Sequence, residues 1–163
     1  MNRTETYKAK TQLADWICSH ADFDTFITLT LKQGLLCKTY RGRIVPISRG
    51  ECIKTARIFR DRLSRRFLGV GRVRAGHRLP IVAFAEGNQF IRTHLHLVME
   101  KPKSVSLTDF RMEICAVANI LEWTHHRVDT RPITYGKPEF VVNYCLKTGV
   151  DALLLEASFL PHS

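Results

Sequence analysis

Polar and apolar residues alternate with period two over Thr93-His94-Leu95-His96-Leu97-Val98, and Phe26-Ile27-Thr28-Leu29-Thr30-Leu31 is rich in β-forming residues and predicts the first core strand. The alternation is the pattern of a strand with one face turned to a core. The apolar run Leu79 to Glu86 predicts a further strand, with a turn beginning at Gly87-Asn88. The strand carrying the histidines is predicted from about Arg92 to Met99, ended by Lys101-Pro102-Lys103. Two other stretches change period to 3.6. Ile53, Ala56, Phe59, Leu63 and Phe67 predict a helix from Arg49 to Phe67, capped by Ser48 and broken by Gly69, Gly71 and Gly76. Phe110, Ile114, Val117 and Leu121 predict another from about Leu107 to Leu121, with Ser106 or Thr108 near its start. Trp123 to Ile133 reads as a fourth strand and Phe140 to Lys147 as a short helix closed by Gly149. Val150 to Leu155 is a last apolar segment. Near the start, Leu13, Trp16 and Ile17 predict a small helix packed on the body, and a basic loop runs through Lys38, Arg41 and Arg43.

The order β-α-β-β-α-β is that of a ferredoxin-like, RRM-like split βαβ. The expected fold is therefore α+β: an antiparallel sheet of four or five strands with helices on one face. A length of 163 residues suits one domain, with its core at about 24–156 behind a helical extension at 1–23. No run approaches a membrane span, and the first residues lack a signal-peptide core. Five scattered cysteines show neither zinc nor disulfide spacing, so reduced thiols and an intracellular location are expected.

Charge narrows the partner. The chain carries 25 Lys and Arg against 15 Asp and Glu, a net +10 that favours a polyanion. Arg57, Arg60, Arg65, Arg66, Arg72 and Arg74 crowd one stretch, opposed only by Asp61, and Arg92 precedes the histidines. A charge run is most often a solvated helix face, but arginine is also the residue suited to phosphate recognition.

Two constellations carry chemistry. On one strand, His94 and His96 project to the same face, where a pair of imidazoles can hold a divalent metal. Glu86 joins them if the hairpin connection spans about Gly87 to Thr93; a tight Gly87-Asn88 turn leaves it near the hairpin tip instead. Two nitrogens and one oxygen suit Mn²⁺ or Mg²⁺ at a phosphate, and equally Zn²⁺ or a non-haem iron. Downstream, Tyr144 and Lys147 stand three apart, so on a helix the phenol and ammonium reach one ligand. A tyrosine becomes a nucleophile toward phosphorus when its phenolate is stabilised, and a lysine and a metal both do so. His125 and His126 are adjacent and, on a regular strand, face opposite ways.

These motifs, in this order, resemble the HUH class of single-strand endonucleases, specifically the one-tyrosine rolling-circle replication initiators (Rep) of small circular DNA viruses, phages and plasmids. Phe26-Ile27-Thr28-Leu29-Thr30 resembles their first motif, a strand associated with DNA recognition. Glu86-Gly87-Asn88 through Arg92-Thr93-His94-Leu95-His96 is similar to the second, which binds the metal. Tyr144-Cys145-Leu146-Lys147 with Gly149 is similar to the third, the nucleophile and a lysine that positions phosphate or metal. The resemblance implies an HUH nuclease domain, Mn²⁺ or Mg²⁺ as cofactor, and single-stranded DNA at a replication origin as partner. It also implies a location in the bacterial cytoplasm or, for a eukaryotic virus, the host nucleus. Relaxases fit less well, because their tyrosine precedes the histidines. Tyr135 lies nine residues from Tyr144, which leaves a single nucleophile. The helicase domain of many viral members has no counterpart here, so a separate helicase or a longer parent chain is expected. Other readings stay open: a transposase-like HUH strand transferase, a ferredoxin-like nucleic-acid-binding module without catalysis, and a 2-His-1-carboxylate iron enzyme.

Overall fold

The computed structural model describes residues 3–37, 42–87, 92–134 and 137–161. Lys38, Arg41, Asn88, Tyr135 and Gly136 lie outside them. A four-stranded antiparallel sheet has the order β4-β5-β1-β6, built from β1 (Thr25–Leu31), β4 (Ile81–Glu86), β5 (His94–Met99) and β6 (Thr124–Pro132). Helices α2 (Arg49–Arg74) and α3 (Leu107–Asn119) are the two crossovers of the split βαβ, so the α+β, ferredoxin-like arrangement expected from the pattern is the observed one.

The alternation in β1 and β5 sorts their side chains between two cores. Ile27, Leu29, Leu31, Leu95, Leu97 and Met99 are fully buried on one face, against Ala56, Phe59 and Leu63 of α2 and Phe110, Ile114 and Val117 of α3. The other face is not open. Val82, Phe84 and Val98 pack there against Ala14 and Ile17 of α1 (Arg3–Cys18) and Val142 and Cys145 of α4 (Pro138–Cys145). Helices therefore sit on both faces, a correction to the expected single layer. The cause is legible in β4, where Ile81, Val82, Ala83 and Phe84 are all buried: a strand apolar at successive positions needs cover on both sides. In α1, Ile17 is buried as expected, but Trp16 points outward and remains half exposed.

Three further boundaries differ. The basic loop after β1 holds a hairpin, β2 (Gly34–Cys37) with β3 (Arg43–Pro46). Ser48 caps α2 as predicted, its hydroxyl accepting from the Glu51 amide. The helix does not stop at Phe67, however. Gly69, at φ 81°, kinks it and a further turn runs on to Arg74. Burial of Val73 beyond the kink is worth about 1.5–3 kcal/mol, against about 0.5–1 kcal/mol for each helical glycine. Finally, the chain after α4 returns along β4. Amide–carbonyl pairs join Phe159 to Ile81 at 2.8 and 3.0 Å, and the Leu154 amide meets the Ala83 carbonyl at 2.8 Å, which covers that sheet edge. Among the described residues no helix is long and apolar enough to cross a membrane.

Candidate active site

The β4–β5 ladder runs from Ile81 opposite Met99 to Glu86 opposite His94. Glu86 therefore closes the ladder beside the imidazoles instead of standing at a remote tip. Gly87 makes this possible. Its φ is +148°, and a Cβ there would lie 2.6 Å from Thr93 Cα, so the two strand ends approach more closely than any other residue allows.

His96 is the buried member of the set. Its Nε2 lies 3.0 Å from Glu86 Oε2, and its Nδ1 lies 3.2 Å from Thr28 Oγ1. Thr28 is its partner across the β1–β5 ladder. The Phe26 ring stacks on His96 at 5.4 Å, and the His94 ring stands alongside at 6.2 Å with a 22° interplanar angle. Both histidines share one face, as the period-two reading requires. Burial lowers both imidazoles below their ordinary pKa, and the attraction of Glu86 only partly offsets it. Neutral imidazoles are the ligating form.

The chemistry-bearing side chains of α4 arrive from across that face. Val142 and Cys145 are its buried side, so Tyr144 falls on the exposed side with half its surface free. Its ring meets His96 edge-on at 6.2 Å. Lys147 is not on the helix, which ends at Cys145; it lies in the following turn, its amide donating to the Tyr144 carbonyl at 3.1 Å. The ammonium nonetheless reaches back, 4.0 Å from the centroid of the Tyr144 ring and 2.8 Å from Glu86 Oε1. Hydrogen bonds that the ammonium donates, to Glu86 first and then to Tyr144, hold Lys147 above its ordinary pKa. For Glu86, partial burial favours the neutral acid, but Lys147 and His96 together prevail and keep the carboxyl below its ordinary value. Cys145, next to the tyrosine, is buried, and that burial pushes its thiol up to about 12, so it is no competing nucleophile.

A divalent metal would find two donor atoms together in Glu86 Oε2 and His96 Nε2. Octahedral Mg²⁺ holds ligands at about 2.0–2.1 Å, so adjacent donors stand about 3 Å apart, the spacing this pair already has. Ligation needs the Nε2 lone pair, hence a proton on Nδ1, and Thr28 Oγ1 is there to accept it. His94 would be the third ligand. Among the described residues no three His, Cys, Asp or Glu side chains already converge as a cage; Glu86 is drawn between His96 and Lys147. The donor set fits a hard cation with open positions.

The arginine stretch is elsewhere. Helix α2 belongs to the layer behind the sheet, so Arg57, Arg65, Arg72 and Arg74, all exposed, are not brought to the Glu86–His96 face. Arg60 is a structural anchor. It pairs with Asp61 at 2.9 Å and donates to the carbonyls of Ala157 and Ser158. Arg66 pairs with Glu113 of α3 at 3.4 Å. Arg92 alone of the predicted arginines adjoins the site, lining a cleft with Thr30, His94, His125, His126 and Arg127. His125 and His126 do not face opposite ways: their rings lie 3.9 Å apart, because β6 departs from regular pairing between Leu29 and Leu31 of β1. Thr28 and Arg127 were not singled out from the sequence. Strand period alone could have flagged Thr28, two residues from Phe26 on the histidine face. Neither a family model, nor a curated protein, nor a solved structure matches the chain.

Proposed function

We propose that this protein is a metal-dependent, sequence-specific single-stranded DNA endonuclease and strand transferase of the HUH type, acting in the initiation of rolling-circle DNA replication. The observation that carries the reading is the position of Glu86, one carboxylate oxygen on His96 and the other on Lys147, with the exposed Tyr144 phenol beside both. Few other activities use a two-histidine carboxylate set within reach of a tyrosine paired with a lysine.

Bound Mn²⁺ or Mg²⁺ would supply charge neutralisation at the scissile phosphate. Glu86, His94 and His96 would hold it, with Thr28 orienting His96. Tyr144 Oη bonds to phosphorus while the phosphorus–O3′ bond breaks. The phenol proton passes through solvent to the released 3′-oxygen. Lys147 stabilises the phenolate as it forms, and its raised pKa keeps it charged for that role. The 5′-phosphotyrosyl ester conserves the phosphodiester energy, so a 3′-hydroxyl attacking it restores the strand and the tyrosine without ATP. A separate helicase would expose the strand.

A sheet-face RNA binder without catalysis is less well supported, since α1 and α4 cover the face such a module presents to bases. The deciding experiment is incubation with a pool of labelled single-stranded oligonucleotides and Mn²⁺, followed by denaturing electrophoresis. A protein–DNA adduct that survives denaturation, with the nucleotide on Tyr144 by mass spectrometry, is the expected result. Absence of any adduct with every oligonucleotide and with both metals would overturn the proposal.

A further inference from the structure

The β1–β6 ladder is interrupted once. Leu29 pairs with Val128 and Leu31 with Thr124, so Thr30 alone stands opposite His125, His126 and Arg127. Surplus residues in a bulged strand cannot keep strict alternation, and two neighbouring imidazoles come to lie 3.9 Å apart, tilted by 38°. With Thr30, Arg92, His94 and Arg127 they line a cleft of about 530 Å³. Thr30 is also the partner of His94 in the β1–β5 ladder, so this cleft begins where the Glu86–His96 pair ends.

Its lining chooses between a cation and an anion. Among the described residues no carboxylate lines it, while two guanidinium groups and three imidazoles do; the guanidinium groups give it a fixed positive charge, and no three His, Cys, Asp or Glu side chains are placed to hold a metal ion. Lys32 adds a further positive charge in the adjoining hollow, which His125 and Arg92 also line. His125 Nδ1 has no hydrogen-bond partner among the described residues, so no neighbouring group holds that ring in place. Planar guanidinium groups beside imidazole N–H donors match the oxygens of a phosphodiester.

We propose that the β6 bulge is a phosphate seat: Arg92, Arg127, His125 and His126 hold a phosphodiester of the substrate strand neighbouring the one placed at Glu86 and His96. The identity of that strand rests on the endonuclease reading, whereas the seat itself is a property of the cleft. Its function is to fix the register of single-stranded DNA across the nucleophile, a task the α2 arginines on the opposite layer cannot perform.

Binding of fluorescein-labelled oligothymidylate is followed by anisotropy over a range of salt, in EDTA so that no cleavage intervenes. The double variant Arg127→Gln/His126→Gln is compared with wild type and with Arg127→Lys. Both altered side chains are exposed, and circular dichroism establishes that the fold is kept. Loss of one or two phosphate contacts should weaken binding about tenfold near 0.1 M salt and flatten the logarithmic salt slope by about 0.7 per contact. Arg127→Lys should recover most of the slope. In wild type, the ring signals of His125 and His126 should shift by NMR as oligothymidylate is added, a measurement that needs no variant in the binding step. Equal affinity and slope in the double variant, or unmoved histidine signals while wild type binds, would overturn the seat and leave the endonuclease reading intact. Histidine shifts with inorganic phosphate and with oligothymidylate, but no covalent adduct with any oligonucleotide of the pool under Mn²⁺ or Mg²⁺, would support the seat and count against the endonuclease.

Discussion

Glu86 Oε1 and Lys147 Nζ meet at 2.8 Å, an ion pair that ties the last residue of a sheet strand to the turn after the helix that carries Tyr144. The same carboxylate reaches His96 with its other oxygen. One side chain thus sets the distance between the strand of the two histidines and the tyrosine. Because Lys147 is well exposed, the pair adds little to global stability; its consequence is geometric.

Tyr144→Phe removes one hydroxyl from an exposed ring, so folding and oligonucleotide binding should be unchanged while adduct formation stops. Lys147→Ala should be slow instead of dead, by on the order of 10²–10³ in rate, since one electrostatic stabiliser of several is lost. Gel quantification of adduct against time separates the two. Equal rates for Lys147→Ala and wild type would remove the lysine from the mechanism.

His94→Ala/His96→Ala should abolish Mn²⁺ binding in calorimetry and retain most of the affinity for single strands. Thr28→Val, which keeps shape and deletes the acceptor for His96 Nδ1, should weaken metal affinity about 10–100-fold, the range for outer-shell partners. Thr28→Ser should recover most of it. Wild-type Mn²⁺ affinity in Thr28→Val would show that the hydroxyl does not orient the ring.

Asp61 accepts from Arg60 at 2.9 Å and from Arg78 at 2.7 Å. Partial burial opposes its ionisation, but the hydrogen bonds and charges of Arg78 and Arg60 prevail and hold the carboxyl below its ordinary value. A depressed folded-state pKa stabilises above the unfolded value and ceases to as pH falls through the folded one. Asp61→Asn should therefore cost about 1–2 kcal/mol near neutrality, less than for a fully buried network. The gap to wild type should close as the pH drops below the carboxylate range. Urea titrations at several pH values measure it; a gap that widens in acid contradicts the assignment.

Gly69 and Gly71 make a matched test of the α2 kink. Neither would have a new Cβ crowded, since nothing lies within 4 Å of either. Gly69, at φ 81° and ψ 158°, holds a conformation that costs other residues about 1–3 kcal/mol, so Gly69→Ala should destabilise by that order. Gly71→Ala, at a helical position, should stabilise by about 0.4–1 kcal/mol. Thermal melts of the two variants should move in opposite directions.

Most of this arrangement could be read before any coordinates. Alternation in Thr93–Val98 fixed which side chains share a face, because strand period leaves no freedom there. The Glu86–His94 pairing was one of two readings, since which applied depended on how closely Gly87 and Thr93 approach. The β2–β3 hairpin escaped because Leu35, Leu36, Ile44 and Val45 flank a polar stretch and bury no core. The α2 extension escaped because Gly69 interrupts the helix without ending it. The His125–His126 contact could not be read at all: a bulge is a property of two strands together, and either strand alone looks regular.

The packing of α1 against α4 has a consequence for how the molecule comes together. Lys10 donates to the Lys147 carbonyl across 137 positions of chain, so α1 waits for a partner far along the chain. Such distant pairing is slow to form, because the intervening chain must close before the contact is rewarded. The sheet and its α2–α3 layer can assemble around β1 without it. A partly unfolded chain would thus keep the strand that carries both histidines while Tyr144 has no fixed seat, and the contacts that join Glu86, Lys147 and Tyr144 would form as a late step of folding.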